Sequence, residues 1–219
     1  MKNMTETLKK ANSPKEPQIL DGEIKENVFG EIAKLKDYPI PISFESGGSN
    51  PFLVVATNEF LRGQGYRVAR LSDFFQQIYP EFYFDTSLVL RDREKTPHGQ
   101  DLLMQVMEIE NIGLPLKIDL ADLTLDKKNF GWGFKLMENS KIYYASIFGK
   151  KNGTFCKKDI DRETGLPKQL SPKGSIQLFN QSAHSSDISR LIVKETSINS
   201  NYHNLFYSYS AGRILIVEK

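Results

Sequence analysis

From residue 131 onward the sequence is a succession of short apolar and aromatic runs, none long enough to make a helix. They are Trp132–Met137, Lys141–Phe148, Ser175–Asn180, Ile188–Lys194, Leu205–Tyr209 and Arg213–Val217. Gly, Asn, Asp and Ser punctuate them. Runs of this length between turn residues read as strands, and strands must pair with one another or leave their backbone groups unsatisfied. Ser210-Ala-Gly212 and Met137-Glu-Asn-Ser-Lys141 read as tight connections between neighbouring strands.

The first 130 residues read differently. Ile24, Val28, Phe29, Ile32 and Leu35 fall on one face of a helix over 21–36, with Asp21 as N-cap. Pro39-Ile-Pro-Ile-Ser-Phe44 is extended, and Ser46-Gly-Gly-Ser-Asn50 turns into a helix. Asn50 is its N-cap and Pro51 its first residue, and the helix runs through Phe52–Leu61 to a stop near Gly63 and Gly65. Tyr66–Ala69 is expected as a short strand, Ser72-Asp73 as the start of a short helix, Phe82–Leu90 as a strand and Gln100–Asn111 as a helix. Leu114–Leu125 alternates as a half-buried strand does, which puts Asp119 on its solvated side. The fold class that follows is α+β: a helix-containing N-terminal part with a mostly antiparallel, β-rich C-terminal part.

Charge changes sign at the same place. Residues 1–130 hold 16 Lys/Arg against 20 Asp/Glu, and residues 131–219 hold 13 against 7, within a chain of net charge +2. Residues 1–18, with Lys2, Lys9, Lys10, Lys15 and two prolines, read as a flexible basic tail. Residues 19–130 form an acidic mixed part and 131–219 a basic aromatic part. No Pro/Ser-rich linker separates the two, so they read as one continuous domain or as two.

Several chemistries are excluded. One cysteine, Cys156, leaves no internal disulfide framework and no all-thiolate zinc site. No apolar run approaches the ~20 residues of a membrane span, and no secretory-type apolar core follows Met1–Lys10, so the expectation is a cytoplasmic protein without a membrane partner. Asp159–Gly165 resembles the start of an EF-hand loop, but Thr164 stands where glycine is needed and Leu170 where glutamate is needed. The sequence points to no metal site and no particular cofactor, and leaves oligomeric state open.

Three groups of residues remain as candidates. The turn Ser46, Gly47, Gly48, Ser49 and Asn50 leads into a helix N-terminus, where backbone N–H groups and the helix dipole suit an anion. It lacks the Lys-Ser/Thr of a P-loop. The basic aromatic part has 11 aromatic residues among 89, and Trp132, Lys135, Lys141, Tyr143 and Arg213 could stack bases and hold phosphates. Asp119, Asp122, Asp126 and Lys128, with His184 elsewhere in the chain, are the residues a metal-dependent nuclease or phosphoesterase would draw on. The reading favoured by the absence of catalytic motifs is a non-catalytic binding or accessory protein, whose partner is nucleic acid or protein. The alternatives are an enzyme acting on a phosphorylated or nucleic-acid substrate, and a self-assembling structural protein using exposed strand edges near Tyr207–Tyr209.

Overall fold

The structure, a computed structural model, describes residues 16–38, 49–76, 81–91, 113–128, 131–149, 152–180, 188–202 and 204–219. The expected Gln100–Asn111 helix, the Pro39–Phe44 segment, Ser46–Gly48 of the glycine-rich turn, and His184 lie outside them. The protein is α+β, two helices against a strand-dominated remainder among the described residues. No helix among them is long and apolar enough to cross a membrane.

Helix α1 spans Gly22–Ala33 and buries Val28, Phe29 and Ile32, three of the positions on the expected face. It ends earlier than the sequence suggests. Leu35 N–H donates to Ile32 O at 3.0 Å, so the chain tightens into i→i+3 turns, and Asp37 then takes a positive φ of 58°. Helix α2 is Pro51–Leu61. Asn50 caps it as expected, its Oδ1 accepting from Leu53 N–H at 2.9 Å, with Pro51 in the first turn. Gly65, at φ 80°, supplies the left-handed residue after the short 3-10 turn that follows. Phe52–Asn58 and Leu61 are all buried, so α2 is the central helix and is covered on every side.

The largest sheet has eight strands, ordered β7(Ile142–Tyr144), β4(Leu116–Asp119), β3(Tyr83–Leu90), β10(Ile188–Lys194), β11(Ser197–Tyr202), β9(Ile176–Phe179) and β8(Gly153–Phe155), with β12(Gly212–Arg213) beside the start of β3. Its pairings are antiparallel except β11–β9 and β12–β3. Strands from both sides of residue 130 are therefore part of one sheet, β4 and β3 lying between β7 and β10. A three-stranded sheet, β1(Gln18–Ile19), β13(Leu215–Glu218), β2(Tyr66–Val68), and a two-stranded one, β5(Leu123–Lys128) with β6(Gly131–Leu136), complete the fold. Gln18, expected in the tail, already pairs with Ile216.

Alternation along the strands separates two cores. Leu88, Leu90, Leu116, Ile118 and Ile188 pack with α1 and α2 on one face of the large sheet. Val89, Leu191, Val193, Ile198, Leu178 and Phe155 pack on the other. A register shift between Leu191 and Ile192 resets the phase of β3, so that Phe84 joins Val89 in the second core.

Three expectations about strands need correction. The Leu114–Leu125 run is two strands broken by a 3-10 turn at Leu120–Asp122, where the chain leaves one sheet for another. Because that run is covered on both faces, Lys117 and Asp119 are buried along with Leu116 and Ile118. Leu205–Tyr209 is no strand: Leu205 is buried in the first core, Asn204 Oδ1 accepts from Phe206 N–H at 3.0 Å to make a turn, and only Tyr209 bridges, to Ser49. Met137–Lys141 does turn, but the strands it joins pair elsewhere, β6 with β5 and β7 with β4.

Candidate functional site

On the α2 side of the large sheet, Arg190 of β10 and Asp85 of β3 form an ion pair, their side chains 0% and 2% exposed. Arg190 Nε donates to Asp85 Oδ1 at 2.6 Å and Nη2 to Oδ2, a two-pronged contact. The rest of the guanidinium reaches main-chain oxygens of two other segments: Ser49 at 3.1 Å, just before α2, and Asn204 and Tyr207 in the 204–209 turn. Ser49 Oγ donates to Asp85 at 2.9 Å, and Asn50 Nδ2 donates to Ser208 Oγ at 2.7 Å. A buried charge of this kind is tolerable only when fully hydrogen-bonded, and here its bonds tie a strand, a helix start and a turn together.

What the turn carries is aromatic. Tyr209 stacks on Tyr83 at 5.7 Å between centroids, Tyr207 meets Tyr209 edge-on at 4.9 Å, and Arg190 lies over the Tyr209 ring at 5.1 Å. Lys194 Nζ sits over the Tyr83 ring at 4.8 Å and donates to its hydroxyl at 3.3 Å. Tyr207 is 55% exposed and Phe206 43%. Lys194 makes no ion pair among the described residues. Three tyrosines, one of them open to water, thus lie beside an amine with no carboxylate partner.

The opposite face holds a second buried ion pair. Lys117 Nζ donates to Asp119 Oδ2 and to Thr164 O, each at 2.8 Å, and lies 4.6 Å from the centre of the Tyr143 ring. Asp119 Oδ1 also accepts from Ser87 Oγ at 2.8 Å and Leu71 N–H at 3.2 Å. Asp122 is held by Arg70 through two bonds of 2.6 and 3.3 Å. Burial alone lowers the Arg70 pKa, but the hydrogen bond to Asp122 and the charges of Asp122, Asp119 and Asp73 outweigh it and raise it. Burial, then the negative charges of Asp119 and Glu163, push the Tyr143 hydroxyl up to about 12.

Two of the carboxylates expected to converge on a metal, Asp119 and Asp122, are therefore already matched to cations. Asp126 lies in β5 opposite Gly133, and Lys128 closes that strand opposite Gly131, in a different sheet from Asp119. Among the described residues no three His, Cys, Asp or Glu side chains come together to hold a metal ion. Of the expected anion turn, Ser49 and Asn50 are buried, at 1% and 0%, and their side chains are engaged with Asp85, Leu53 and Ser208.

The five residues expected to contact nucleic acid do not meet. Trp132 donates from Nε1 to Asp37 O at 2.6 Å and packs edge-on against Tyr38. Lys135 is exposed on β6. Lys141 pairs with Glu163 at 3.1 Å. Tyr143 covers Lys117 at the β7 edge. Arg213, in register with Phe84, stacks over Phe82 at 4.7 Å and donates to Ser210 O and Gly212 O, on the face away from Tyr83. Sequence reasoning saw Tyr207 and Tyr209 as members of an aromatic-rich half and as an exposed strand edge, and missed Tyr83, Lys194 and Arg190. The available signal was the Tyr-x-Tyr spacing at 207 and 209, which nothing in the sequence ties to residue 83. Compared with known protein families, curated proteins and solved structures, the chain matches none.

Proposed function

We propose that this chain is a binding protein for single-stranded nucleic acid, with Tyr207, Tyr209 and Tyr83 as its stacking platform and Lys194 as the cation beside it. The tyrosine cluster, opened to water at Tyr207, beside an amine with no carboxylate partner among the described residues carries the reading. Bases stack on aromatic rings irrespective of sequence, and a neighbouring cation offsets the backbone charge. Arg190 is not a contact residue here. Its charge is matched by Asp85, and it serves to hold the turn. The reading assigns no role to Asp119 or Asp122 beyond supporting the fold.

The test is fluorescence anisotropy of labelled single-stranded DNA and RNA, against duplex controls, over a range of salt. The expected result is binding that prefers single strands and weakens as salt rises. Replacing Tyr207 by Ala should weaken it about 5- to 150-fold, the equivalent of losing one stacked base. No binding at low salt, or an unchanged affinity in Tyr207→Ala, overturns the reading.

A further inference from the structure

The tyrosine cluster lies at the head of a row of paired residues that crosses the sheet. Val193 pairs with Phe84, so Lys194 lies beside Tyr83. Lys194 in turn pairs with Ser197, Ser197 with Gln177, and Gln177 with Thr154. Paired residues share a face. The neighbours on the other phase, Val193, Ile198, Leu178 and Phe155, are all in the second core, so the row points away from it. At β11, β9 and β8 this face carries Ser197, Asn199, Gln177 and Thr154, with the half-buried Phe179 paired to Asn199 and Gln177 exposed. Over β3 and β10 the same face is occupied by the tyrosines.

The far end of the row runs into a basic loop. Thr154 Oγ1 donates to Ser171 O at 2.6 Å, and Lys168 N–H to Asp159 O at 2.9 Å, so segments 156–160 and 167–174 lie side by side between β8 and β9. Lys157, Lys158 and Lys173 are exposed there and make no ion pair among the described residues. The acids of the loop are engaged: Asp161 with the Glu163 and Thr164 N–H groups and with Lys168, Glu163 with Lys141, and Asp159 with Cys156 N–H.

We propose that the nucleic-acid strand runs across the sheet along this row, from Tyr83, Tyr207 and Tyr209 over Lys194, Ser197, Gln177 and Thr154, to phosphate contacts with Lys157, Lys158 and Lys173. This rests on the reading of the tyrosine cluster given above. Four strand spacings set the stretch from Tyr83 to Thr154 at about 19 Å. With the loop beyond it, the track suits the short end of the roughly 4–16 nucleotides that comparable single-strand sites occupy. Asn, Gln, Ser and Thr side chains along it supply both donors and acceptors to bases without demanding one base. Glu195, in the turn between β10 and β11, is the opposing charge at the end of the row.

The test compares two oligothymidines, of about 3 and about 10 nucleotides, on the full chain. Gln177→Glu and the triple variant Lys157→Ala, Lys158→Ala, Lys173→Ala alter exposed side chains only, and circular dichroism checks their folding. The expected result is weaker binding of the longer oligonucleotide in both variants, with the shorter one unaffected. In the triple variant the slope of log affinity against log salt should shrink by about 2 for the longer probe, from three phosphates at about 0.7 each. Glu195→Gln should tighten the longer probe. If both variants bind both probes as the parent does while Tyr207→Ala still weakens them, the track is overturned and the tyrosine platform stands. If neither probe binds the parent chain, the platform itself fails.

Discussion

Asp85 and Arg190 face each other across the β3–β10 pair with both side chains withdrawn from water, and the turn carrying Tyr207 and Tyr209 hangs on that contact. The guanidinium satisfies the carboxylate on one side and the carbonyls of Ser49, Asn204 and Tyr207 on the other. One buried cation therefore fixes both the entry to α2 and the turn carrying Tyr207 and Tyr209.

Breaking that pair from one side should be costly. Asp85→Asn leaves Arg190 with an uncompensated buried charge, and the expected loss is about 3–5 kcal/mol, read from the urea midpoint. The double variant Asp85→Leu, Arg190→Met removes both charges and should regain part of that stability. It should not regain oligonucleotide binding, because three carbonyls lose their donor and the tyrosine turn is no longer held.

Asp119 should behave as a structural residue. Asp119→Ala strands Lys117, 0% exposed, without its carboxylate and frees Ser87 Oγ and Leu71 N–H. The expected result is again a loss of about 3–5 kcal/mol in urea unfolding. Incubation with magnesium and single- or double-stranded substrate should give no cleavage by the parent chain for this variant to abolish. Magnesium-dependent cleavage by the parent, lost in a folded Asp119→Asn, would overturn the assignment.

Tyr143 makes a prediction about alkaline pH. Its folded pKa stands near 12 against an ordinary value of 10.0, so the native chain holds this proton more tightly than the unfolded one. A raised pKa contributes stability that is fully present below about pH 10 and is lost as pH rises toward 12. Tyr143→Phe keeps the ring beside Lys117 and should leave neutral-pH stability little changed. Above about pH 10 it should make the decline in stability shallower than in the parent, measured by denaturant unfolding at matched pH.

The legible parts of this fold were those set by local chemistry. Asn50-Pro51 announced α2 through a cap and a fixed φ, and the Ile188–Lys194 strand was read to the residue. What was illegible depended on partners distant in the chain. The alternation Leu116, Ile118, Leu120 marks a strand only as far as Asp119 and could not say that its other face was also covered, so Asp119 is expected in water when it lies against Lys117. Leu205–Tyr209 has strand composition, yet Asn204 bends it and Arg190, fourteen and seventeen residues back, holds its carbonyls. The tyrosine site joins residues 83, 194, 207 and 209, a juxtaposition made by sheet pairing alone.

Asn50 joins the two kinds of information and gives a graded test. Its side chain caps α2 through Leu53 N–H and reaches Ser208 in the tyrosine turn. Asn50→Asp keeps the cap acceptor and loses the donor to Ser208, while Asn50→Ala loses both. Asn50→Ala should cost about 1–2 kcal/mol from the cap, with the lost Ser208 bond in addition, and Asn50→Asp less. Thermal unfolding of the three proteins side by side orders them.

Gly212 and Gly63 should respond in opposite directions to the same substitution. A Cβ built on Gly212 lies 2.5 Å from Ser49 N and 2.9 Å from Tyr209 O, both main-chain atoms that cannot rotate away. Ser49 and Tyr209 are bridged to each other, so a methyl group there pushes apart the two segments that Arg190 holds together. Gly212→Ala should therefore destabilise the fold by about 1–3 kcal/mol, as overpacking does, and also weaken oligonucleotide binding by displacing Tyr209. A Cβ on Gly63 meets nothing within 4 Å, and its backbone is not left-handed. Gly63→Ala should stabilise by about 0.4–1 kcal/mol through the unfolded chain and leave binding unchanged. Equal effects of the two substitutions on binding would show that the Ser49–Tyr209 contact does not set the position of the tyrosine platform.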